Sequence, residues 1–305
     1  MHAFLHDPKH RFALGLTLGL IGAILFSAKA IVVKLAYRYG VDAATLLALR
    51  MAFALPFFVV IAVLLQRRAP VTVAPRQWGQ VIGIGLLGYY AASFLDFLGL
   101  QYVSAALERL TLFIYPTLVL LFARLLYGRT ITRLQWWAMG VSYCGIALAF
   151  AHDVRLAQPN LWLGGGLVFA SAVTYALYLL FGGELLRQIG TLRMTALASI
   201  VAAFACIAQF LVLRDWAALQ LPWQVYALSV FNAMFCTVIP VFCVMLSIEF
   251  LTAGVAAQIS MVGPMSTLLM GGAILGETIT AWHVLGTACV LAGIFMLSWQ
   301  ARKTI

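Results

Sequence analysis

Apolar runs of about 18 to 25 residues recur along the chain, each long enough to cross a hydrocarbon core of about 30 Å as a helix. They fall at 12–36, 43–65, 77–100, 104–127, 134–151, 161–182, 192–213, 223–248, 252–275 and 281–299, with only short connectors between them. A chain of 305 residues that is 64% hydrophobic and 9% charged has no surface with which to stay dissolved in water. The reading is an all-α integral membrane protein of ten transmembrane helices. A basic start, an apolar run and Ala28-Lys29-Ala30 imitate a cleavable signal, but the apolar sequence continues through Ile31, Val32 and Val33, so this run is kept as the first spanning helix. Cys144, Cys206, Cys236, Cys243 and Cys289 lie inside the runs without paired spacing and read as packing residues, with no metal site among them.

The runs are not independent of one another. Sliding the chain by 148 positions sets Ala105 on Ala253, Pro116 on Pro264, Leu121 on Leu269, Gly128 on Gly276 and the Thr-Ile-Thr of 130–132 on that of 278–280. Gly145-Ile146 falls on Gly293-Ile294 in the same gap-free register. Matched prolines and glycines mark matched backbone, so the pattern reads as an internal duplication. The tract at 153–160 then divides the chain into two five-helix repeats, 1–155 and 156–305.

An odd number of helices per repeat places the two copies in opposite orientations. With a cytoplasmic N-terminus, twelve lysines and arginines fall on inner segments and five on outer ones, and Lys29 and Arg50 are left within the membrane. That is the positive-inside bias, with both termini cytoplasmic. It accounts for the net charge of +10 without nucleic acid. The matched connectors differ as inversion requires: Tyr127 to Arg133 is basic, whereas Leu275 to Ala281 carries Glu277 and no positive charge. Two inverted five-helix repeats are a transporter signature, because halves related by an in-plane axis can exchange conformations around a central site.

The twin blocks LERLTLFIYPTLVLLFARLLYGRTIT and ISMVGPMSTLLMGGAILGETIT, with LALRMAFALP at 47–56, carry a resemblance to the EamA-type members of the drug/metabolite transporter superfamily. The resemblance covers nearly the whole chain and departs from the family pattern at Arg129, where the first block commonly has a glutamate. It implies a ten-helix bundle with a central cavity lined by helices 1 to 4 and 6 to 9. It also implies a multi-pass secondary transporter of the bacterial inner membrane, exporting small organic metabolites or drug-like compounds by alternating access. No G-x-x-x-x-G-K-[ST] run is present for ATP, so proton coupling and simple exchange both stand, and no cofactor is expected. The rival readings are a lipid flippase and a membrane-embedded lipid-modifying enzyme; for the latter, no H-E-x-x-H or paired-aspartate pattern occurs, and His2, His6 and His10 precede the first run.

Charge inside a spanning helix is where function is sought, since each such group is paired, near an end, or at work. Lys29, Arg50, Asp96, Glu108 and Arg109 lie within two or three turns of the proposed outer surface. The turn near Tyr102 brings Asp96 opposite Glu108 and Arg109, so an Asp96–Arg109 pair is expected, either as a lock on that hairpin or as a proton-coupling site. Arg50 has no acid near it in its own helix and reads as a cavity residue able to hold a carboxylate or phosphate. Lys34, Arg38 and Arg214 read as snorkelling to the surface, Lys29 either as snorkelling or as a cavity residue, and Glu184, Glu249 and Glu277 as solvated helix ends. His283 has no partner at ligand spacing. Tyr89, Tyr90, Tyr115, Tyr175, Tyr178 and Asn232 are candidate cavity walls, with interhelical packing as the alternative for each.

Overall fold

The computed structural model describes residues 8–155, 160–251 and 253–303. Residues 156–159 of the dividing tract, His2 and His6, and the side chains of His10, His152 and Glu184 lie outside the described residues. The described residues form helices and no strand. In chain order these are α1 (Pro8–Tyr37), α2 (Ala43–Arg68), α3 (Pro75–Gly99), α4 (Ala105–Tyr127), α5 (Arg133–Arg155), α6 (Leu161–Ile189), α7 (Thr191–Leu213) and α8 (Trp223–Phe250). They continue as α9 (Ala253–Ser260, resumed over Val262–Met270 and Gly271–Leu275) and α10 (Ala281–Lys303). Among the described residues nine helices are long and apolar enough to cross a membrane, and the apolar stretch Ala281–Leu297 of α10 is shorter. Large apolar side chains such as Leu125, Val212 and Phe204 face outward, as a bilayer requires. Trp78, Trp137, Trp162, Trp216, Trp223 and Trp282 are all exposed near helix ends, the depth at which an amphipathic ring meets both headgroup and hydrocarbon.

Local chemistry sets where these helices start, bend and stop. Asp42 begins α2 by accepting from the backbone N–H groups of Ala44 (2.9 Å) and Thr45 (3.2 Å), supplying acceptors that the first turn lacks. Gly128 and Gly276 end α4 and α9 with φ of 64° and 72°, a left-handed conformation open to glycine. Pro116 and Pro264 each follow an interruption, at Phe113–Ile114 in α4 and at Met261 in α9. π-Helical turns occur at Gly85–Ala91 in α3 and Met234–Val238 in α8. All three features recur at the 148-residue offset, so the second block repeats the first in backbone as well as in residue identity.

The packing pairs one half with the other. α1 lies chiefly on α8 and α9, α6 on α3 and α4, α2 on α7, and α5 on α10. The α5–α10 contact is reciprocal: a Cβ on Gly145 would stand 2.6 Å from the Gly286 carbonyl, and one on Gly293 would stand 2.5 Å from that of Ala138. Those pairs exchange places under the same offset. α2 and α7 run antiparallel and are tied at both ends. Asp42 at the start of α2 lies 3.2 Å from Arg214 just beyond α7, and Arg193 in the first turn of α7 donates to the carbonyls of Leu65 (3.1 Å) and Ala69 at the end of α2.

One glycine shows how tight this core is. A Cβ on Gly88, in the π turn of α3, would fall 2.3 Å from Cγ of Tyr178 on α6. Gly88→Ala therefore has to displace a buried aromatic ring, and overpacking of this kind costs about 1 to 3 kcal/mol. The melting temperature in detergent should drop by several degrees; an unchanged value would mean that α3 and α6 yield where the packing says they cannot.

Candidate functional site

The charged residues gather at one level of the bundle. Lys29 stands eight residues before the end of α1, Arg50 seven residues into α2, Asp96 three before the end of α3, and Glu108 and Arg109 three and four into α4. At about 1.5 Å per residue these positions lie about 5 to 12 Å from the end of the bundle that holds Tyr37. Lys29, Arg50, Asp96 and Arg109 line a chamber of about 360 Å³, together with Tyr89, Tyr115, Tyr175 and Phe113. The chamber continues along α2 to Phe58 and along α8 to Val244, deeper into the bundle.

Lys29 is the hub of the carboxylates. Its Nζ lies 2.5 Å from Asp96 Oδ2 and 3.5 Å from Glu108 Oε1, and Glu108 is fully buried. The expected Asp96–Arg109 pair is not formed. Arg109 instead donates from Nη2 to Ser27 Oγ at 3.3 Å and lies 5.1 Å above the Phe113 ring. The reason is that α1 packs against α4 and α9 and delivers Lys29 and Ser27 into the space that folding of the α3–α4 hairpin alone would leave to Asp96 and Arg109. The lysine does not snorkel; it supplies the buried counter-charge.

Arg50 is 7% exposed and buried against α8, where its Nε donates to Thr237 Oγ1 at 2.8 Å and its guanidinium lies 5.4 Å from the Phe97 ring. Thr237 sits in the π turn of α8 and donates in turn to the Asn232 carbonyl at 3.0 Å. Pro240 follows this turn, and a proline that releases backbone groups into a helix interior was the only sequence sign of this contact. Of the candidate cavity walls, Tyr175 lines the chamber and Tyr178 stands behind it, 5.4 Å between ring centroids, with its hydroxyl 3.4 Å from that of Tyr89. Tyr90 is not among the lining residues and stacks on Phe94; its neighbour Tyr89 takes the inward face. Asn232 is buried in α8 and is likewise not part of the lining.

The Tyr37 end is cross-linked by residues expected at the surface. Glu277 accepts from the Ala105 N–H at 3.0 Å, capping α4 alongside Ser104, and lies 3.5 Å from Lys34. Lys34 donates to the Val103 carbonyl at 2.7 Å and Arg38 to that of Leu275 at 2.7 Å. Glu277 is thus a bound cap rather than a solvated helix end, and Lys34 and Arg38 reach across to neighbouring helices because the carbonyls ending those segments need donors. A larger cleft of about 830 Å³ opens among these loops, but its charged residues already have partners. The smaller chamber, with buried charge converging on it, is the better candidate.

The pattern of the EamA-like transporter family matches residues 13–151 and again residues 162–299. The chain belongs to the EamA-like transporter family. As a member it is a multi-span membrane transporter. The uncharacterized transporter YcbK of Bacillus subtilis is 30% identical over 291 residues, covering 93% of each chain. The uncharacterized transporter sll1319 of Synechocystis is 24% identical over 315 residues, covering 94% of each. A protein of known crystal structure, 16% identical, shares the fold with a TM-score of 0.64 over 95% of this chain and 98% of its own. The two EamA matches begin and end close to the 148-residue offset.

Proposed function

We propose that this EamA member is a secondary transporter moving small organic metabolites or drug-like compounds across the bacterial cytoplasmic membrane by alternating access. In this reading residues 1–155 and 156–305 are two five-helix repeats in opposite orientations, ten spans in all, with both termini in the cytoplasm. Antiparallel α2 and α7 and the reciprocal α5–α10 contact support the inversion, since an in-plane two-fold axis brings matched helices together head to tail. The observation that carries the functional reading is the chamber itself: three cations and a carboxylate converge on it inside helices that otherwise bury apolar groups. Charge kept within a bilayer marks a pathway or a binding site. Asp96, at the chamber wall and bound to Lys29, is the group assigned to proton coupling.

The protein reconstituted into liposomes loaded with unlabelled solute should accumulate the labelled solute transiently, at a rate that saturates. Flux that rises linearly with concentration and shows no counterflow would indicate a pore instead.

A further inference from the structure

We propose that the chamber binds the carboxylate of a small organic anion between Arg50 and Arg109, with the apolar body of the ligand against the tyrosine wall. This rests on the carrier reading and names the substrate class of the same site.

The first observation is how the counter-charges are distributed. Both buried carboxylates turn to Lys29, with Asp96 at 2.5 Å and Glu108 at 3.5 Å. Among the described residues neither arginine has a carboxylate within 4.0 Å. Each has one hydroxyl acceptor, Thr237 for Arg50 and Ser27 for Arg109, and one aromatic face. A guanidinium carries five N–H donors in a planar fork. Nη1 of Arg50 and Nε of Arg109 are buried with no acceptor among the described residues. Three cations against two carboxylates leave the site one positive charge in excess, and a monovalent anion completes it. Carboxylate geometry suits the fork, because two parallel N–H···O bonds form at once.

The second observation is the wall. Tyr89, Tyr115 and Tyr175 line the chamber with Phe26, Phe58 and Phe113. A volume of about 360 Å³ is at the lower end of the range for small-ligand sites, which fits one aromatic ring or a short branched chain. Gly263 keeps room for the guanidinium: a Cβ there would stand 2.9 Å from Arg109 Nη2 and 3.1 Å from Ser27 Oγ.

The third observation is asymmetry. At the 148-residue offset Arg50, Asp96, Glu108 and Arg109 face Ala198, Val244, Ala256 and Ala257. The duplicated scaffold does not require these charges, since the second repeat builds the same helices without them. The charges of the anion site are an addition to the first repeat.

The test uses the full chain in detergent at constant pH and ionic strength, with melting temperature as readout. Benzoate, phenylacetate and isovalerate are each compared with the matching amide and with benzylamine. Each acid should raise the melting temperature more than its amide does, and benzylamine should not raise it. Arg50→Gln and Arg109→Gln should each weaken the apparent affinity for the acids about ten- to a hundredfold, the loss expected for one charged hydrogen-bonding partner. The acid–amide comparison on the unaltered chain decides the matter even where a variant does not fold. Amides or benzylamine stabilising as well as the acids, or no acid exceeding its amide, would overturn the proposal. Saturable counterflow of amines without preference for acids would keep the carrier and remove the anion site. Acid binding without any counterflow would keep the site and remove the carrier.

Discussion

Replacing Arg50 with alanine should reduce carrier flux by about two orders of magnitude, the effect of removing a charged hydrogen-bonding partner from a buried site, while the protein stays folded in the membrane. Folding is retained because the substitution leaves no charge behind. Thr237 loses a donor at 2.8 Å but still donates to the Asn232 carbonyl at 3.0 Å, and no carboxylate depends on this arginine among the described ion pairs. Arg50→Lys should recover part of the flux, since it restores the charge without the planar fork. Initial counterflow rates, normalised to protein in the liposome, measure both variants. Undiminished flux in the alanine variant would remove Arg50 from the site.

Lys29→Ala should behave in the opposite way and fail at folding. Asp96 is 1% exposed and Glu108 fully buried, and both take their counter-charge from this one ammonium. Breaking a buried pair on one side costs about 3 to 5 kcal/mol, and with two carboxylates left bare the loss is enough to unfold a marginally stable protein or deplete it from the membrane. Adding Asp96→Asn and Glu108→Gln to Lys29→Ala should bring the protein back, because neutral amides of the same shape need no cation. Asp96→Asn alone should be mild, since Glu108 keeps Lys29 at 3.5 Å. It should retain counterflow while losing any acceleration by a pH gradient. Membrane abundance and melting temperature read the lysine effect, and a stable Lys29→Ala protein would show that the carboxylates do not rely on it.

The transporter class is legible in the sequence because it rests on local and periodic quantities. Run length against bilayer thickness placed the helices, and α4, expected at 104–127, spans Ala105–Tyr127. The 148-residue echo paired Gly128 with Gly276, and both prove to be left-handed. Position along a helix was also readable, at about 1.5 Å per residue, so the charged residues could be counted to within a few turns of one end of the bundle.

Which charge meets which was not readable. Asp96 was expected on Arg109, its neighbour across the nearest turn, and is held by Lys29 from 67 positions away. Glu277 was expected in solvent and caps α4 across 172 positions. Tyr90 was expected at the cavity, where Tyr89 stands. In each case the missing quantity is the rotation of a helix about its own axis. Runs apolar on nearly every side carry almost no amphipathic stripe to fix that rotation. In a bilayer, where lipid tails are as apolar as leucine, it is set by close packing at small residues and by the need of buried charges to find partners. The sequence by itself determined the apolar, multi-span character, the duplicated family pattern and the position of each charge along its own helix; the facing of the helices, and with it the pairing that leaves Arg50 and Arg109 without a carboxylate among the described residues, was decided only when all of them packed together.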